Sequence, residues 1–323
     1  DKQVTGAGFK PDFVLHASGV INQALPASVT HSIFAFGAMD KDGNQFTNGI
    51  SSNDAVSSTQ TRSWQQSDMA FASTEVADIL LWKASYKSMD SDGFTLNFSA
   101  AHTYTINVIS LCLKGGAYKV GNFYEGITPG QQRIDGIGFR PKGIITASTF
   151  RENTVGTYAA WQLGCTDATT SRSISVRDEH ALATSDAESY QSNNFITKLN
   201  TSPSNIHTEA TIQSFNDDGF TVTWVNGSLN YRFPFIVFGD TPTSSTKGLR
   251  VKVGSFAIRS GTGTQAITGV SFQPKALILY TAWAGTNGFF GGQRTSIGFT
   301  TRVTESFYVV VTSDNGISSS NTR

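Results

Sequence analysis

Gly8-Phe9-Lys10-Pro11-Asp12-Phe13-Val14-Leu15 returns as Gly138-Phe139-Arg140-Pro141-Lys142-Gly143-Ile144-Ile145, and again as Ser271-Phe272-Gln273-Pro274-Lys275-Ala276-Leu277-Ile278. The three prolines are 130 and 133 residues apart. Self-similarity at a fixed period announces repeated structural units, and two further markers keep the same order. Met89-Asp90-Ser91-Asp92-Gly93-Phe94-Thr95-Leu96 recurs as Phe215-Asn216-Asp217-Asp218-Gly219-Phe220-Thr221-Val222. Tyr118-Lys119-Val120-Gly121-Asn122-Phe123 is matched by Val251-Lys252-Val253-Gly254-Ser255-Phe256, and each stands at the same distance before its proline.

Each Phe-x-Pro is followed by a short apolar run, as expected where a turn delivers the chain into a buried strand, because proline is tolerated at a strand's start. Next come Ser32-Ile33-Phe34-Ala35-Phe36-Gly37, Trp161-Gln162-Leu163-Gly164-Cys165 and Ser296-Ile297-Gly298-Phe299, all of strand length. A small residue (Ala35, Gly164, Gly298) recurs in mid-segment, which predicts close approach of a neighbouring backbone or ring. Gly93 to Phe98 and Gly219 to Trp224 alternate with period two, and the Asp-Gly before each supplies a hairpin turn. Thr105 to Leu113 and Phe233 to Phe238 read as closing strands, with Pro234 interrupting the second. The polar stretches Asn44–Gln60 and Asp167–Asn194 read as long connections. Helix is expected only as one or two turns at Arg62–Phe71 and Val76–Leu81.

The predicted fold is all-β: tandem antiparallel β-sandwich domains, jelly-roll-like, with about two and a half units of ~130 residues. The expected segments are 1–115, lacking its first strand, then 116–245, then a partial third unit at 246–323. Units cut at both ends suggest either a fragment of a longer array or a subunit whose strands a neighbour supplies.

Composition narrows the function. Lys+Arg and Asp+Glu balance at 24 each, so no net field draws the chain to nucleic acid or an anionic membrane. Gly, Ser, Thr and Asn supply the polar surface instead of charge. No apolar stretch reaches the roughly 18 residues of a membrane span. Cys112 and Cys165 lie in apolar segments and read as buried free thiols, which fits assembly in a reducing cytoplasm.

No pattern for chemistry emerges, so neither catalytic residues, nor a metal, nor a cofactor is expected. His16, His31, His102, His180 and His207 show no metal-ligand spacing. Asp40-Lys41-Asp42-Gly43-Asn44 starts like a calcium loop but lacks the later ligands, so it reads as a hairpin turn. Asp90-Ser91-Asp92 and Asp217-Asp218 recur, which a turn also explains. The candidate ligand-binding residues are aromatic: Trp283, Phe289 and Phe290 with Asn287 in one Gly-rich loop, and Trp161. Rings of this kind would stack on a glycan or pack in a subunit contact.

The run Gly-Phe-x-Pro-[Asp/Lys]-apolar, then Asp-Gly-Phe-Thr, then the closing segments Tyr104 to Lys114 and Tyr231 to Asp240, resembles a repeated domain of bacteriophage virion proteins. That resemblance implies a lectin-like β-sandwich on the outside of a tail, fibre or capsid, with no catalytic residue to carry over. The expected function is a non-enzymatic, multi-copy virion surface protein, with homo-oligomers and other virion proteins as partners. The alternative is a carbohydrate-binding adhesin, on a virus or cell surface, that recognises a host glycan.

Overall fold

A computed structural model describes the chain except residues 20–30, 75–77, 104–105, 127–128, 201–203, 228–230, 241–247, 286 and 302–305. Among the described residues there is no helix. The strands are β1 (Lys2–Thr5), β2 (Phe13–Gly19), β3 (Ser32–Asp40), β4 (Gln45–Ser52), β5 (Thr61–Gln66), β6 (Phe71–Ser73), β7 (Trp82–Asp90), β8 (Gly93–Ala100) and β9 (Ile109–Leu113). They continue with β10 (Ala117–Tyr124), β11 (Gly130–Asp135), β12 (Pro141–Thr149), β13 (Thr154–Thr157), β14 (Ala159–Thr166), β15 (Ser171–Asp178) and β16 (Ala187–Ser192). Then come β17 (Ile196–Leu199), β18 (Ile206–Asn216), β19 (Gly219–Asn226), β20 (Arg232–Gly239), β21 (Ala276–Ala282), β22 (Gly288–Gly291), β23 (Gln293–Thr301) and β24 (Ser306–Ser313).

These strands make antiparallel sheets in corresponding orders. The first inner sheet runs β13-β5-β4-β3-β2-β9 and the second runs β22-β16-β15-β14-β12-β20-β10. The outer sheets run β6-β7-β8-β1 and β17-β18-β19-β11, and a third sheet runs β21-β23-β24. Each outer sheet closes a β-sandwich over an inner one. Val14, Ala35, Trp64, Phe71, Trp82 and Phe94 fill the first sandwich. Ile144, Phe195, Phe220, Val222, Trp224, Phe233 and Phe235 fill the second.

Period two explains why the inner strands are apolar almost throughout. Val14 points into its own sandwich, while Phe13, Leu15 and Ala17 point the other way. Those outward residues enter a shared core with Phe34, Phe36, Val120, Ile145, Trp161, Leu163, Ile236, Ile297, Phe299 and Val311. An antiparallel sheet normally faces water on one side; here both faces of the inner sheets are covered. The three sheets meet in a cycle: β4 and β5 on β12 and β14, then β15 and β16 on β21 and β23, then β24 on β2 and β3. The third sheet is covered on one face only, and Leu277, Leu279, Tyr308 and Val310 of its other face are exposed.

Sheets also cross the segment bounds drawn from the sequence. Thr154–Thr157 adds to the edge of the first inner sheet, with Val155 opposite Trp64. Gly288–Gly291 adds in the same way to the second, with Phe289 opposite Tyr190.

Several local expectations are corrected. Arg62–Phe71 is strand β5 and the start of β6, not helix. The segment Val76–Leu81 lies partly outside the described residues, and Asp78–Leu81 is non-helical. The two long polar connections contain β4, β15 and β16, and Asn48 and Ser52 of β4 reach across to Ala147 O and Asp178 of the second sheet. Pro234 does not interrupt β20, where it pairs with Asn122. The small residue equivalent to Gly164 and Gly298 is Gly37 rather than Ala35, since these three glycines sit opposite Thr146, Leu279 and His16. A Cβ on Gly37 would lie 2.2 Å from Ala70 O, and one on Gly164 would lie 1.8 Å from Phe195 O. Close passage of the outer-sheet backbone is the reason for glycine there.

Candidate functional site: the three-way junction and the Trp283 platform

Three segments follow the corresponding strands β4, β15 and β24: Asn53-Asp54-Ala55-Val56, Glu179-His180-Ala181-Leu182 and Asp314-Asn315-Gly316-Ile317. Each bends through a residue of positive φ, Ala55 at 56°, Ala181 at 63° and Gly316 at 73°. Each then receives a hydroxyl residue from the neighbouring sheet. Thr59 Oγ1 donates to Glu179 O at 2.7 Å, Ser185 Oγ to Asp314 O at 2.8 Å, and Ser320 Oγ to Asn53 O at 2.7 Å. The same hydroxyls accept from Leu182 N, Ile317 N and Val56 N. Backbone pairs repeat the pattern. Thr59 N donates to Leu182 O and Thr59 O accepts from Ala181 N, Ser185 pairs with Ile317 and Gly316, and Ser320 pairs with Val56 and Ala55.

One more bond per junction comes from a side chain. Thr61 N donates to His180 Nδ1 at 3.1 Å, Ala187 N to Asn315 Oδ1 at 2.9 Å, and Thr322 N to Asp54 Oδ1 at 2.8 Å. The polar groups that would be orphaned by packing loops together are therefore matched junction by junction.

Ser52, Asp178 and Ser313 end the three strands and converge where the sheets meet. Ser52 Oγ donates to Asp178 Oδ2 at 2.6 Å and Ser313 Oγ donates to the same oxygen at 2.7 Å. Asp178 Oδ1 is buried without a hydrogen-bond partner among the described residues. Burial pushes this carboxyl up to about 6, outweighing the two serine bonds and the Arg177 charge, which favour the ionised form. The Arg177 guanidinium is engaged by Glu188 and Asp186.

Recurrent carboxylates fasten the remaining elements. Asp92 accepts from Gly6 N and Gly8 N, and Asp218 accepts from Gly136 N and Gly138 N, so the repeated Asp-Gly hairpin grips the chain entering each Phe-x-Pro. The four glycines have φ between 74° and 94°, which turns successive N–H groups to one side. Asp40 closes its own hairpin through Asp42 N and Asn44 N, and its second oxygen accepts Val120 N from the next segment. Asp167 does the same through Thr169 N, Thr170 N and Val253 N. The calcium-like run is thus a hairpin turn whose carboxylate is taken by N–H donors.

The aromatic candidates separate. Trp161 is 1% exposed, with Nε1 donating to Asn48 Oδ1 and its ring edge-on to Phe34, so it belongs to the shared core and cannot meet a ligand. Trp283 is 64% exposed and lies parallel to Phe290 at 5.9 Å between centroids. The Arg294 guanidinium sits 4.4 Å from the Trp283 centroid. Phe289 packs on Tyr190. Asn287 fastens the loop, with N donating to Gln191 O and Oδ1 accepting from Asn193 N. These residues form an exposed platform beside strand β22.

The histidines have structural partners. His16 is buried, bonded to Ser110 and edge-on to Phe94, with its basicity lowered by burial to about 4. His180 and His31 each accept a backbone N–H. His102 packs on Trp82, and His207 on Phe150 and Tyr231. Cys112 and Cys165 are free thiols. Lys198 is buried, donates to Thr149 O, and lies 4.1 Å from the centroids of Phe150 and Tyr231. Burial pulls it down to about 7. Among the described residues no group of His, Cys, Asp or Glu is placed to hold a metal, and no helix is long and apolar enough to cross a membrane.

The glycine, carboxylate and hydroxyl positions of the junctions were not found from sequence, because their side chains differ from one segment to the next. Comparison with family models, curated proteins and solved structures gives no match to this chain.

Proposed function

We propose that the chain is a non-enzymatic structural protein of a virion surface, displayed in many copies as a capsid decoration, fibre or tail-associated subunit. The observation that carries this reading is the cyclic junction. Its recurrent groups are spent on joining sheets, with hydroxyls, backbone and carboxylates matched in the same way at each meeting point. The motifs quoted above, which resemble those of phage virion domains, supply the setting. Purified native particles, imaged and analysed by mass spectrometry, should carry the chain in a fixed copy number at regular positions. Recovery of the chain only as a free monomer, never with particles, would overturn the reading.

A second reading, glycan binding by an adhesin, is favoured by one observation: Trp283 offers a largely exposed ring on a platform braced by Phe290 and Arg294. A flat ring with an open face suits the apolar side of a sugar. Glycan-array binding that disappears in Trp283→Ala would support it, and an array without signal for the native chain would remove it.

A further inference from the structure

We infer that Asp178 is a proton-operated clamp on the three-way junction: with its carboxyl protonated the third sheet closes tightly on the first, and ionisation loosens that closure. The inference rests on position. Asp178 comes from the second inner sheet, yet its Oδ2 is shared by Ser52 of the first sheet and Ser313 of the third. It is the acidic member of three equivalent strand ends, the other two being serines. Its Oδ1 is buried with no hydrogen-bond partner among the described residues. An ionised oxygen in such a place carries a desolvation penalty that a protonated one does not.

The surrounding charges do not remove that penalty. On its own strand Arg177 engages Glu188 and Asp186, with Glu179 at 3.7 Å. On the first sheet's side Asp54 takes Thr322 N and pairs with Arg323. On the third sheet's side Asp314 pairs with Arg294 and takes Asn321. Two histidines accept backbone N–H groups around the junctions: His31 takes Asp54 N, and His180, two residues on from Asp178, takes Thr61 N at the junction of the first and second sheets. Protonation of His180 in acid would weaken the junction of the first and second sheets, the opposite sense to Asp178.

The sign follows from burial. The folded carboxyl stands at about 6 against 3.8 without the fold. Closure is therefore weakest above about pH 6 and strengthens as pH falls from about 6 towards 4. A shift of that size corresponds to roughly a hundredfold change in the opening equilibrium.

The readout is hydrogen exchange at Gly316, Ile317, Ser320 and Thr322, whose N–H groups lie in or beside the junctions of the third sheet, corrected for intrinsic rates. In the native chain, protection of Ser320 and Thr322 should rise by about tenfold between about pH 7.5 and pH 5, the full hundredfold being reached only below about pH 4. Asp178→Asn should keep the serine bonds and abolish this rise. Ser313→Ala keeps the carboxyl but removes one bond that favours its ionised form, so the midpoint should move to higher pH. A native pH dependence equal to that of Asp178→Asn would overturn the inference. Should Asp178→Asn fail to fold, an unmoved midpoint in Ser313→Ala would overturn it instead.

Discussion

Glycine at 164 is required by an atom rather than by a turn. The carbonyl of Phe195 occupies the place where a Cβ would stand, 1.8 Å away, and backbone cannot move aside as a flexible side chain can. Gly164→Ala should therefore destabilise the chain by roughly 3 kcal/mol or more, read from the urea midpoint. At the corresponding Gly298 a Cβ would lie 3.1 Å from Phe307 O, the nearest atom among the described residues, so Gly298→Ala should cost clearly less in the same experiment. Lys198 makes a second residue-scale case. Burial holds it at about 7 in the fold against 10.5 outside, so the folded chain binds its proton less well than the unfolded chain. Stability should rise as pH increases from about 7 towards 10, and Lys198→Met should flatten that slope in denaturation curves taken across the interval.

At the scale of elements, the short arms β13 and β22 deserve comparison with the strands they join. β13 has four residues, and all of them pair with β5 of another sandwich, Val155 facing Trp64 and Gly156 facing Ser63. An edge left without this arm would present unpaired backbone groups. Val155→Pro removes one N–H from the arm and restricts its φ. The expected result is a loss of about 1–3 kcal/mol, with faster hydrogen exchange confined first to Thr61–Gln66. Uniform acceleration throughout both sandwiches would show instead that the arm is not a separate element. The main strands were legible in the sequence because Phe-x-Pro and Asp-Gly-Phe are fixed by local backbone needs: a proline at a strand start, a turn glycine, a carboxylate gripping two N–H groups. The arms were not, because a four-residue strand carries too little periodicity to be distinguished from loop. Nor were the junction segments. Thr59, Ser185 and Ser320 share only a hydroxyl, and His180, Asn315 and Asp54 share only an acceptor atom, so the equivalence exists in geometry and not in residue type. Trp161 misled for a related reason: an aromatic residue reads alike whether its partner is a ligand or, as here, Phe34 and Asn48 across a sheet boundary.

The whole molecule differs from beads on a string through its shared core. Domains joined by linkers meet through modest, polar interfaces and can unfold one at a time. Here Phe13, Leu15, Phe34 and Phe36 of the first inner sheet meet Ile145, Trp161 and Leu163 of the second and Ile297, Phe299 and Val311 of the third in one apolar cluster. Removing any one sheet would expose that cluster on the other two, so their stabilities are coupled. Trp161 tests this coupling because it touches Phe34 and Phe36 with its ring and Asn48 with its nitrogen, all on the neighbouring sheet. Trp161→Phe keeps apolar area but orphans Asn48 Oδ1, and Trp161→Ala adds a cavity, which predicts losses of about 1–3 and 3–5 kcal/mol respectively. The distinguishing feature lies in how the loss is distributed. Native and variant chains should each unfold in one urea transition, with intrinsic fluorescence and circular dichroism coincident. Hydrogen exchange should accelerate in β3 and β23 as well as in β14. A variant that loosens only Ala159–Thr166 and its own sandwich, leaving Ser32–Asp40 and Gln293–Thr301 as protected as before, would mean that the sheets are neighbours and not one cooperative body.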